Sequence, residues 1–206
     1  MEDQLVLDSQ DDNEFAYLVI KRALDITIAI IAIIFLSPVF LVIPILIKLD
    51  SKGPVIFKQV RIGKNNKPFY IYKFRSMKND TPNVATNELE EGQSYVTELG
   101  QFLRKTSIDE LPQLINVIKG EMSIIGPRPV IESETELIKL REDYKINTML
   151  PGITGFAQVN GRDFVSIEDK VKYDYQYLAN KSIVMDVKIL LKTFILVIKE
   201  EDIKIL

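Results

Sequence analysis

The stretch ITIAIIAIIFLSPVFLVIPILI, residues 26–47, decides how this chain is organised. Its 22 residues contain no charged side chain, and a helix of that length is able to cross a hydrocarbon core of about 30 Å. A secretory signal peptide fits poorly, because an acidic tail precedes the run and no small-residue cleavage site follows it. The pattern therefore predicts a segment that lies in a membrane.

Two features of this segment argue against a simple crossing. Ser37-Pro38 lies at its centre, and a proline favours a bend because it removes a helical N–H and crowds a preceding carbonyl. Basic residues flank both ends, Lys21-Arg22 before the run and Lys48 after it, and positive flanks prefer the cytoplasm. We predict a re-entrant helix-break-helix over residues 15–50. A straight spanning helix and a buried core helix are the alternatives.

Composition narrows the chemistry open to the rest of the chain. Residues 1–14 form a tail with six acidic residues and no basic one, so 26 basic residues stand against 23 acidic residues elsewhere. This small positive excess suits an anionic bilayer surface or a phosphorylated substrate, and nucleic acid is not expected as a partner. The chain has no cysteine and no histidine, which excludes disulfides, catalysis by Ser-His-Asp or Cys-His, and the commonest zinc ligands. Any metal is expected to be a hard, oxygen-ligated ion such as magnesium.

Residues 51–206 are predicted to form one catalytic domain of α/β class that is mostly helical. Val55–Gln59 and Phe69–Phe74 are rich in β-forming residues and flank a polar loop, which predicts a small β-hairpin. Residues 79–92 have the composition of a loop, and the pattern is helical from Gln101 onward. The sequence shows no repeated βαβ unit and no Gly-rich dinucleotide loop, so a doubly wound nucleotide fold is not indicated.

The end of the chain offers a second membrane feature. Ile183–Ile198 is largely apolar, and at about 100° per residue four lysines fall on one narrow stripe of a helix. These are Lys181, Lys188, Lys192 and Lys199. The pattern predicts an interfacial amphipathic helix with its lysines toward the headgroups. Asp186 interrupts it on the opposite side, and a core-packed helix with a solvated lysine face is the alternative.

The adjacent carboxylates of Asp109 and Glu110 are the leading candidates for chemistry. Ser107 precedes Glu110 with the spacing of a capping box, whereas Asp109 as the cap would leave Pro112 in the tolerant first turn. Either register puts both carboxylates, ionised, at the positive end of a helix, where free N–H groups favour phosphate. One carboxylate could then face a phosphorus while the other holds magnesium. Plain helix capping is the alternative.

Arginines in constrained settings lie before and after this pair. Arg104 precedes it, Arg128 stands between Pro127 and Pro129, and Arg162 follows Asn160-Gly161. A guanidinium with little freedom to move suits bidentate phosphate binding. Taken alone, each arginine is more typical of an ordinary surface or ion-paired residue. Together with the acidic pair, they favour a site that handles phosphate.

These motifs, taken in order, resemble the minimal form of the monotopic phosphoglycosyl transferases, the bacterial sugar transferases. The residues that carry the resemblance are Lys21-Arg22, Asp25, Ser37-Pro38, Tyr72-Lys73-Phe74-Arg75, Asp109-Glu110-Leu111-Pro112, Gly126-Pro127-Arg128-Pro129, and Pro151-Gly152-Ile153-Thr154-Gly155 through Asn160-Gly161-Arg162. The resemblance runs from about Phe15 to the C-terminus. It implies transfer of a phosphosugar from a UDP-sugar to polyprenol phosphate, usually undecaprenyl phosphate, through a covalent enzyme intermediate and with magnesium, to start glycan assembly.

The resemblance also implies a role for each site residue. Asp109 matches the nucleophile and Glu110 the partner that supports the metal, while Ser37 and Pro38 match the break of the re-entrant helix. The basic residues around the nucleotide and phosphates are matched by Lys73, Arg104, Arg128 and Arg162. The stretch from Gly161 to Ser166 is similar to that of members using N-acetylated amino sugars.

The implied setting is the cytoplasmic face of the bacterial inner (cytoplasmic) membrane, with membrane lipids as further partners. Whether the chain forms a homodimer stays open. Two other functions remain at this point. One is a membrane-anchored interaction domain without catalysis, and the other is a phosphatase that works through an aspartyl-phosphate.

Overall fold

The computed structural model describes residues 2–78, 81, 95–161 and 165–199, with residues 2–13 and 198–199 described by their backbone only. The predicted loop at 79–92 lies outside the described residues except at position 81, and so does Arg162. The helices are α1 Glu2–Phe35, α2 Ser37–Asp50, α3 Glu98–Lys105, α4 Gln113–Lys119, α5 Thr135–Asp143, α6 Phe156–Val159, α7 Ile167–Asn180 and α8 Ile183–Lys199. The strands are β1 Ile56–Ile62, β2 Pro68–Phe74, β3 Ser123–Ile125 and β4 Gly152–Thr154, and short 3-10 turns cover Lys64–Asn66, Ile108–Glu110 and Ile146–Thr148.

The apolar segment is broken where the sequence predicts a break. α1 ends at Phe35, α2 begins at Ser37, and the two axes differ by 63°. Pro38 lies in the first turn of α2, where its missing N–H leaves no helical hydrogen bond unmade. Among the described residues, no single helix is both long and apolar enough to cross a membrane. The bent pair Glu14–Phe35 and Ser37–Asp50 has the required length and apolar composition only when its two helices are counted together.

Both arms of the bent pair rest on the same body. Near the entrance of the apolar segment, buried Asp25 accepts a hydrogen bond of 2.7 Å from the Ser123 hydroxyl at the start of β3. Near its exit, the Arg75 guanidinium donates to the carbonyl oxygens of Ile47 (3.3 Å) and Ser51 (2.6 Å). The two ends of the segment are therefore fixed to one folded unit.

The outer faces of the two arms are apolar and exposed. The most exposed large apolar groups of residues 26–50 are Ile31, Ile34, Phe35, Leu41, Ile45 and Leu49. The inner faces pack into the domain, where Ala29 of α1 and Ile47 of α2 are almost fully buried. So many exposed large apolar groups on one segment are unusual on a soluble monomer and are typical of a contact with another protein or a membrane.

The predicted β-hairpin is confirmed. β1 and β2 pair antiparallel, with Ile56 opposite Phe74 and Ile62 opposite Pro68, so β1 extends beyond the predicted Val55–Gln59. A second pair was not predicted: β3 and β4 lie parallel and are joined through α5. Each of these strands has three residues, which is too short for a recognisable alternating pattern. The described sheets stay two-stranded and separate, in agreement with the expectation against a doubly wound fold.

α8 packs one face on the domain and leaves an apolar face exposed, but it begins at Ile183, so Lys181 lies outside the helix to which the predicted lysine stripe assigned it. Asp186 is buried and accepts hydrogen bonds from Tyr177 (2.7 Å) and Lys21 (3.2 Å), which satisfies a carboxylate that would otherwise be costly to bury. One face of α8 thus packs on the domain. Another face leaves large apolar groups exposed, namely Val184, Val187, Leu191, Phe194 and Ile195.

Candidate active site

The acidic pair lies in a 3-10 turn, Ile108–Glu110, and not in the first turn of an α-helix. α4 begins only at Gln113, with Pro112 in the N-cap position and no side-chain cap. The predicted helix start at Asp109 and Glu110 is therefore wrong. Pro112 is compatible with this later start, because its ring is accommodated at the beginning of a helix.

The predicted capping box is also wrong. Ser107 adopts a left-handed conformation (φ 55°, ψ 17°) and its side chain makes no capping hydrogen bond. This conformation is uncommon for a residue other than glycine, and it turns the chain sharply between α3 and the 3-10 turn. The Glu110 side chain does not fold back to the backbone of Ser107. Its Oε1 atom instead accepts a 2.7 Å hydrogen bond from Lys73 on β2.

Five of the six predicted catalytic and substrate-binding residues line one cavity of about 370 Å³. They are Lys73, Arg104, Asp109, Glu110 and Arg128. The hairpin, α3, the 3-10 turn and the segment after β3 each supply part of this set. The sixth predicted residue, Arg162, lies outside the described residues. Residues far apart in the chain thus form the kind of acidic and basic site that the sequence predicts.

Glu110 is held as an anion by two cations. Lys73 Nζ lies 2.7 Å and Arg128 Nη2 lies 3.3 Å from the same oxygen, Oε1. Burial alone would raise the pKa of Glu110, but the charges and hydrogen bonds of Lys73 and Arg128 outweigh burial and hold the pKa well below its usual range. Glu110 is therefore ionised throughout the physiological pH range.

Asp109 has the opposite electrostatic setting. The residue is 7% exposed, and burial raises the pKa of its carboxyl from 3.8 to about 6. The charge of Lys73 opposes this rise and that of Glu110 adds to it. Two neighbouring carboxyls whose pKa values are moved apart are a common mark of a division of roles in an active site. Above a pH of about 6, Asp109 is an ionised, largely desolvated carboxylate.

The backbone around Arg128 is clamped, as the two flanking prolines predict. The Gly152 N–H donates to the Pro127 carbonyl (2.9 Å), and Arg141 donates to the Arg128 carbonyl (2.8 Å). Arg141 itself is fixed by a buried 2.6 Å ion pair with Asp174. The Arg128 side chain is 47% exposed and reaches Glu110. Its guanidinium is thus presented to the cavity from a rigid support.

Some lining residues were missed by sequence reasoning. Gln158 lines the cavity, and its Oε1 atom is buried without a hydrogen-bond partner among the described residues. Such an acceptor is open to a donor from a ligand. Gln158 lies between Pro151–Gly155 and Asn160–Arg162, the two halves of one sequence motif. This position is the one sequence signal that could have identified Gln158 as a site residue. Apolar α8 residues also line the cavity, and only their tertiary position reveals it.

The carboxylates suit a metal ion that arrives with its substrate. Within the part of the chain that is described, no three potential His, Cys, Asp or Glu ligands gather at one point. The cavity supplies the two carboxylates of Asp109 and Glu110. Magnesium commonly binds through one or two carboxylates together with substrate phosphates and water. The donor set fits that mode and does not form an all-protein cage.

A desolvated carboxylate, an ion-paired neighbour and rigid cations beside an apolar surface are the arrangement expected of an enzyme class that acts on phosphate esters next to a membrane. Comparison with known families agrees, because the sequence model of the bacterial sugar transferases matches residues 16–200. The chain belongs to the bacterial sugar transferase family, and the predicted resemblance is confirmed.

Relatives with assigned names cover most of this chain. It is 41% identical to the UDP-glucose:undecaprenyl-phosphate glucose-1-phosphate transferase of Escherichia coli (strain K12), over 84% of this chain and 39% of that protein. It is 42% identical to the UDP-N-acetylgalactosamine-undecaprenyl-phosphate N-acetylgalactosaminephosphotransferase of Aeromonas hydrophila, over 86% of this chain and 43% of that protein. It is 40% identical to the exopolysaccharide production protein ExoY of Sinorhizobium fredii (strain NBRC 101917 / NGR234), over 84% of this chain and 83% of that protein. The chain thus spans about two fifths of the length of the first two relatives.

Proposed function

We propose that this protein transfers a phosphosugar from a UDP-sugar to undecaprenyl phosphate, with release of UMP, as the first membrane step of glycan assembly. The observation that carries the proposal is the single cavity in which Asp109 and Glu110 meet Lys73, Arg104 and Arg128. The names of two relatives describe transfer of a sugar phosphate with a UDP-sugar and undecaprenyl phosphate as substrates for those proteins.

Asp109 is the proposed nucleophile. Its carboxylate oxygen attacks the sugar-linked phosphorus, the bond from that phosphorus to the UMP oxygen breaks, and UMP leaves. A phosphate oxygen of the lipid then attacks the same phosphorus and frees the Asp109 carboxylate. Two properties support this role: the carboxylate is ionised near neutral pH without a histidine, and burial leaves it poorly hydrated.

The cations have the proposed task of holding phosphate oxygens. Arg128 offers a planar fork from a clamped backbone, and Lys73 and Arg104 offer charge on two other walls of the cavity. We assign Arg162 to the same group on the family resemblance. Glu110 keeps Lys73 and Arg128 in place through its Oε1 atom.

Magnesium is the proposed cofactor, and the second oxygen of Glu110, Oε2, is the ligand we assign to it. A bound magnesium ion would offset the negative charge that accumulates when an anionic nucleophile approaches a diphosphate. Lys73 and Arg128 both bond to Oε1, so this assignment breaks neither ion pair.

The bent helix pair is proposed to enter and leave the bilayer at the cytoplasmic face of the inner membrane. Residues 26–35 and 37–47 form arms of about 15 Å each, and a hydrocarbon core is about 30 Å thick. Asp25 at one end and Ile47 at the other are bonded to the same folded domain, which supports placing both ends on one side. The lysines of α8 are proposed to face the headgroups of the same leaflet.

The transferred sugar is to be identified by testing a panel of UDP-sugars as substrates. Glucose and N-acetylgalactosamine appear in the names of the first two relatives, and the resemblance around Gly161–Ser166 favours an N-acetylated amino sugar. The test incubates the purified full chain with undecaprenyl phosphate, magnesium and one UDP-sugar at a time, and measures UMP and lipid-linked sugar. We expect equal amounts of both products from at least one UDP-sugar, and none from Asp109→Asn. A parent protein that binds membranes but releases no UMP from any UDP-sugar would favour the interaction domain.

A further inference from the structure

The cavity has one polar side and one apolar side. The polar side carries the acidic pair and the cations already described. The apolar side consists of Leu111, Leu114 and Ile153 together with Leu190, Phe194 and Val197 of α8. A nucleotide sugar has little surface that gains from such a wall, because its hydroxyls would lose hydrogen bonds to water without replacement.

The apolar wall reaches the mouth of the cavity on α8. Leu190, Phe194 and Val197 have the spacing of one helical face. Phe194 lines the cavity and is also 60% exposed, next to the exposed side chains of Leu191 and Ile195. Phe194 therefore stands at the boundary between the cavity and the outer apolar face of α8.

The polar atoms within this wall already have partners. Thr193 donates its hydroxyl hydrogen to the Ile189 carbonyl (2.8 Å), so Thr154 is the donor in the 2.8 Å bond between the two threonine hydroxyls. With its hydroxyl engaged on both sides, Thr193 adds little polarity to the wall. The α8 side of the cavity thus remains suited to hydrocarbon.

From this arrangement we propose that the α8 wall binds the first isoprene units of the lipid acceptor, with Phe194 as the contact at the cavity mouth. The inference rests on the proposed transfer to a polyprenyl phosphate. Such a lipid has a phosphate for the polar side and, directly attached, a hydrocarbon chain for the apolar side. Leu190, Phe194 and Val197 then line the path of the hydrocarbon chain inside the cavity that holds Asp109.

The test compares Phe194→Ala with Ile195→Ala in the full chain reconstituted in lipid nanodiscs. Both residues are exposed apolar groups on α8 (60% and 53% exposed), but only Phe194 lines the cavity. We expect Phe194→Ala to raise the KM for undecaprenyl phosphate about tenfold, as the loss of roughly 1.4 kcal/mol of apolar contact would do. For Phe194→Ala, the KM for the UDP-sugar should stay within about twofold of the parent value, and the melting temperature within about 2 °C. Ile195→Ala should change neither KM nor the melting temperature.

A short acceptor separates contact with the wall from attachment to the membrane. Geranyl phosphate, which has two isoprene units and is soluble in water, should also be used about tenfold less well by Phe194→Ala, and Phe194→Leu should restore most of the loss. Equal effects of Phe194→Ala and Ile195→Ala, or no effect of Phe194→Ala with geranyl phosphate, would overturn the inference. So would a rise in the KM for the UDP-sugar alone. A parent protein that transfers no sugar from the whole panel would overturn the proposed function and this inference with it.

Discussion

Replacing Asp109 by asparagine is expected to stabilise the folded protein while abolishing transfer. Burial raises the pKa of Asp109 from 3.8 to about 6, and one pKa unit corresponds to about 1.4 kcal/mol. At pH 7.5 the ionised carboxylate therefore costs the folded state about 3 kcal/mol, which Asp109→Asn removes. Between pH 4 and pH 6 the folded state binds the proton of Asp109 more tightly than the unfolded state does. The free-energy cost of the ionised carboxylate to the folded state therefore grows as the pH rises. At pH 4, Asp109→Asn should therefore stabilise the folded protein by less than about 1 kcal/mol.

The assay is thermal unfolding of the full chain in detergent, followed by circular dichroism at pH 7.5 and pH 4. For a chain of this size, about 3 kcal/mol corresponds to a rise of roughly 6–12 °C in melting temperature. Glu110→Gln is the matched variant and should change the melting temperature in the opposite direction. Lys73 and Arg128 stabilise the ionised carboxylate of Glu110, so the loss of that carboxylate should lower the melting temperature at pH 7.5. Asp143→Asn, at an exposed position on α5, controls for the loss of a charge. If Asp109→Asn lowers the melting temperature at pH 7.5 as Glu110→Gln does, the assigned burial cost is wrong.

Three further predictions concern catalysis and topology. UMP release by the parent should fall about tenfold between pH 7 and pH 5, because protonation of Asp109 below its pKa of about 6 removes the nucleophile; a rate unchanged over this range would contradict it. Arg128→Lys should lower turnover roughly tenfold to a hundredfold with an almost unchanged melting temperature, since the planar fork is lost while the backbone clamp is kept. A large drop in melting temperature with normal turnover would instead identify a structural arginine. Single cysteines placed by Asp12→Cys and Asp202→Cys in this cysteine-free chain should be labelled from the same side of intact vesicles, and labelling from opposite sides would mean a spanning segment.

Features set by local sequence were predictable. The break at Ser37-Pro38 follows from the geometry of proline, and the hairpin follows from two β-rich runs around a polar loop. The restricted backbone at Arg128 follows from its flanking prolines, although the hydrogen bonds that clamp it come from Gly152 and Arg141 farther along the chain. In each case the deciding interaction lies within a few residues along the chain.

Features set by distant contacts were not predictable in the same way. The Glu110 side chain pairs with Lys73, 37 residues earlier in the chain, and this contact competes with the local capping geometry that the sequence suggested. The opposite pKa shifts of Asp109 and Glu110 depend on tertiary contacts, because burial outweighs the nearby cations at Asp109, whereas the charges and hydrogen bonds of Lys73 and Arg128 outweigh burial at Glu110. The pattern of α8 could not show that Asp186 is buried against Tyr177 and Lys21 while Phe194 reaches the cavity.

The most direct test of the central claim is the intact mass of the protein after incubation with its UDP-sugar and magnesium but without lipid acceptor. The covalent mechanism predicts an added mass equal to one phosphosugar on the parent, its absence from Asp109→Asn, and its slow or absent formation on Glu110→Gln. Adding undecaprenyl phosphate should then remove the adduct and yield the lipid-linked product. An adduct on Asp109→Asn, or substantial transfer to lipid by that variant, would contradict the nucleophile assignment and leave direct displacement by the lipid phosphate as the mechanism.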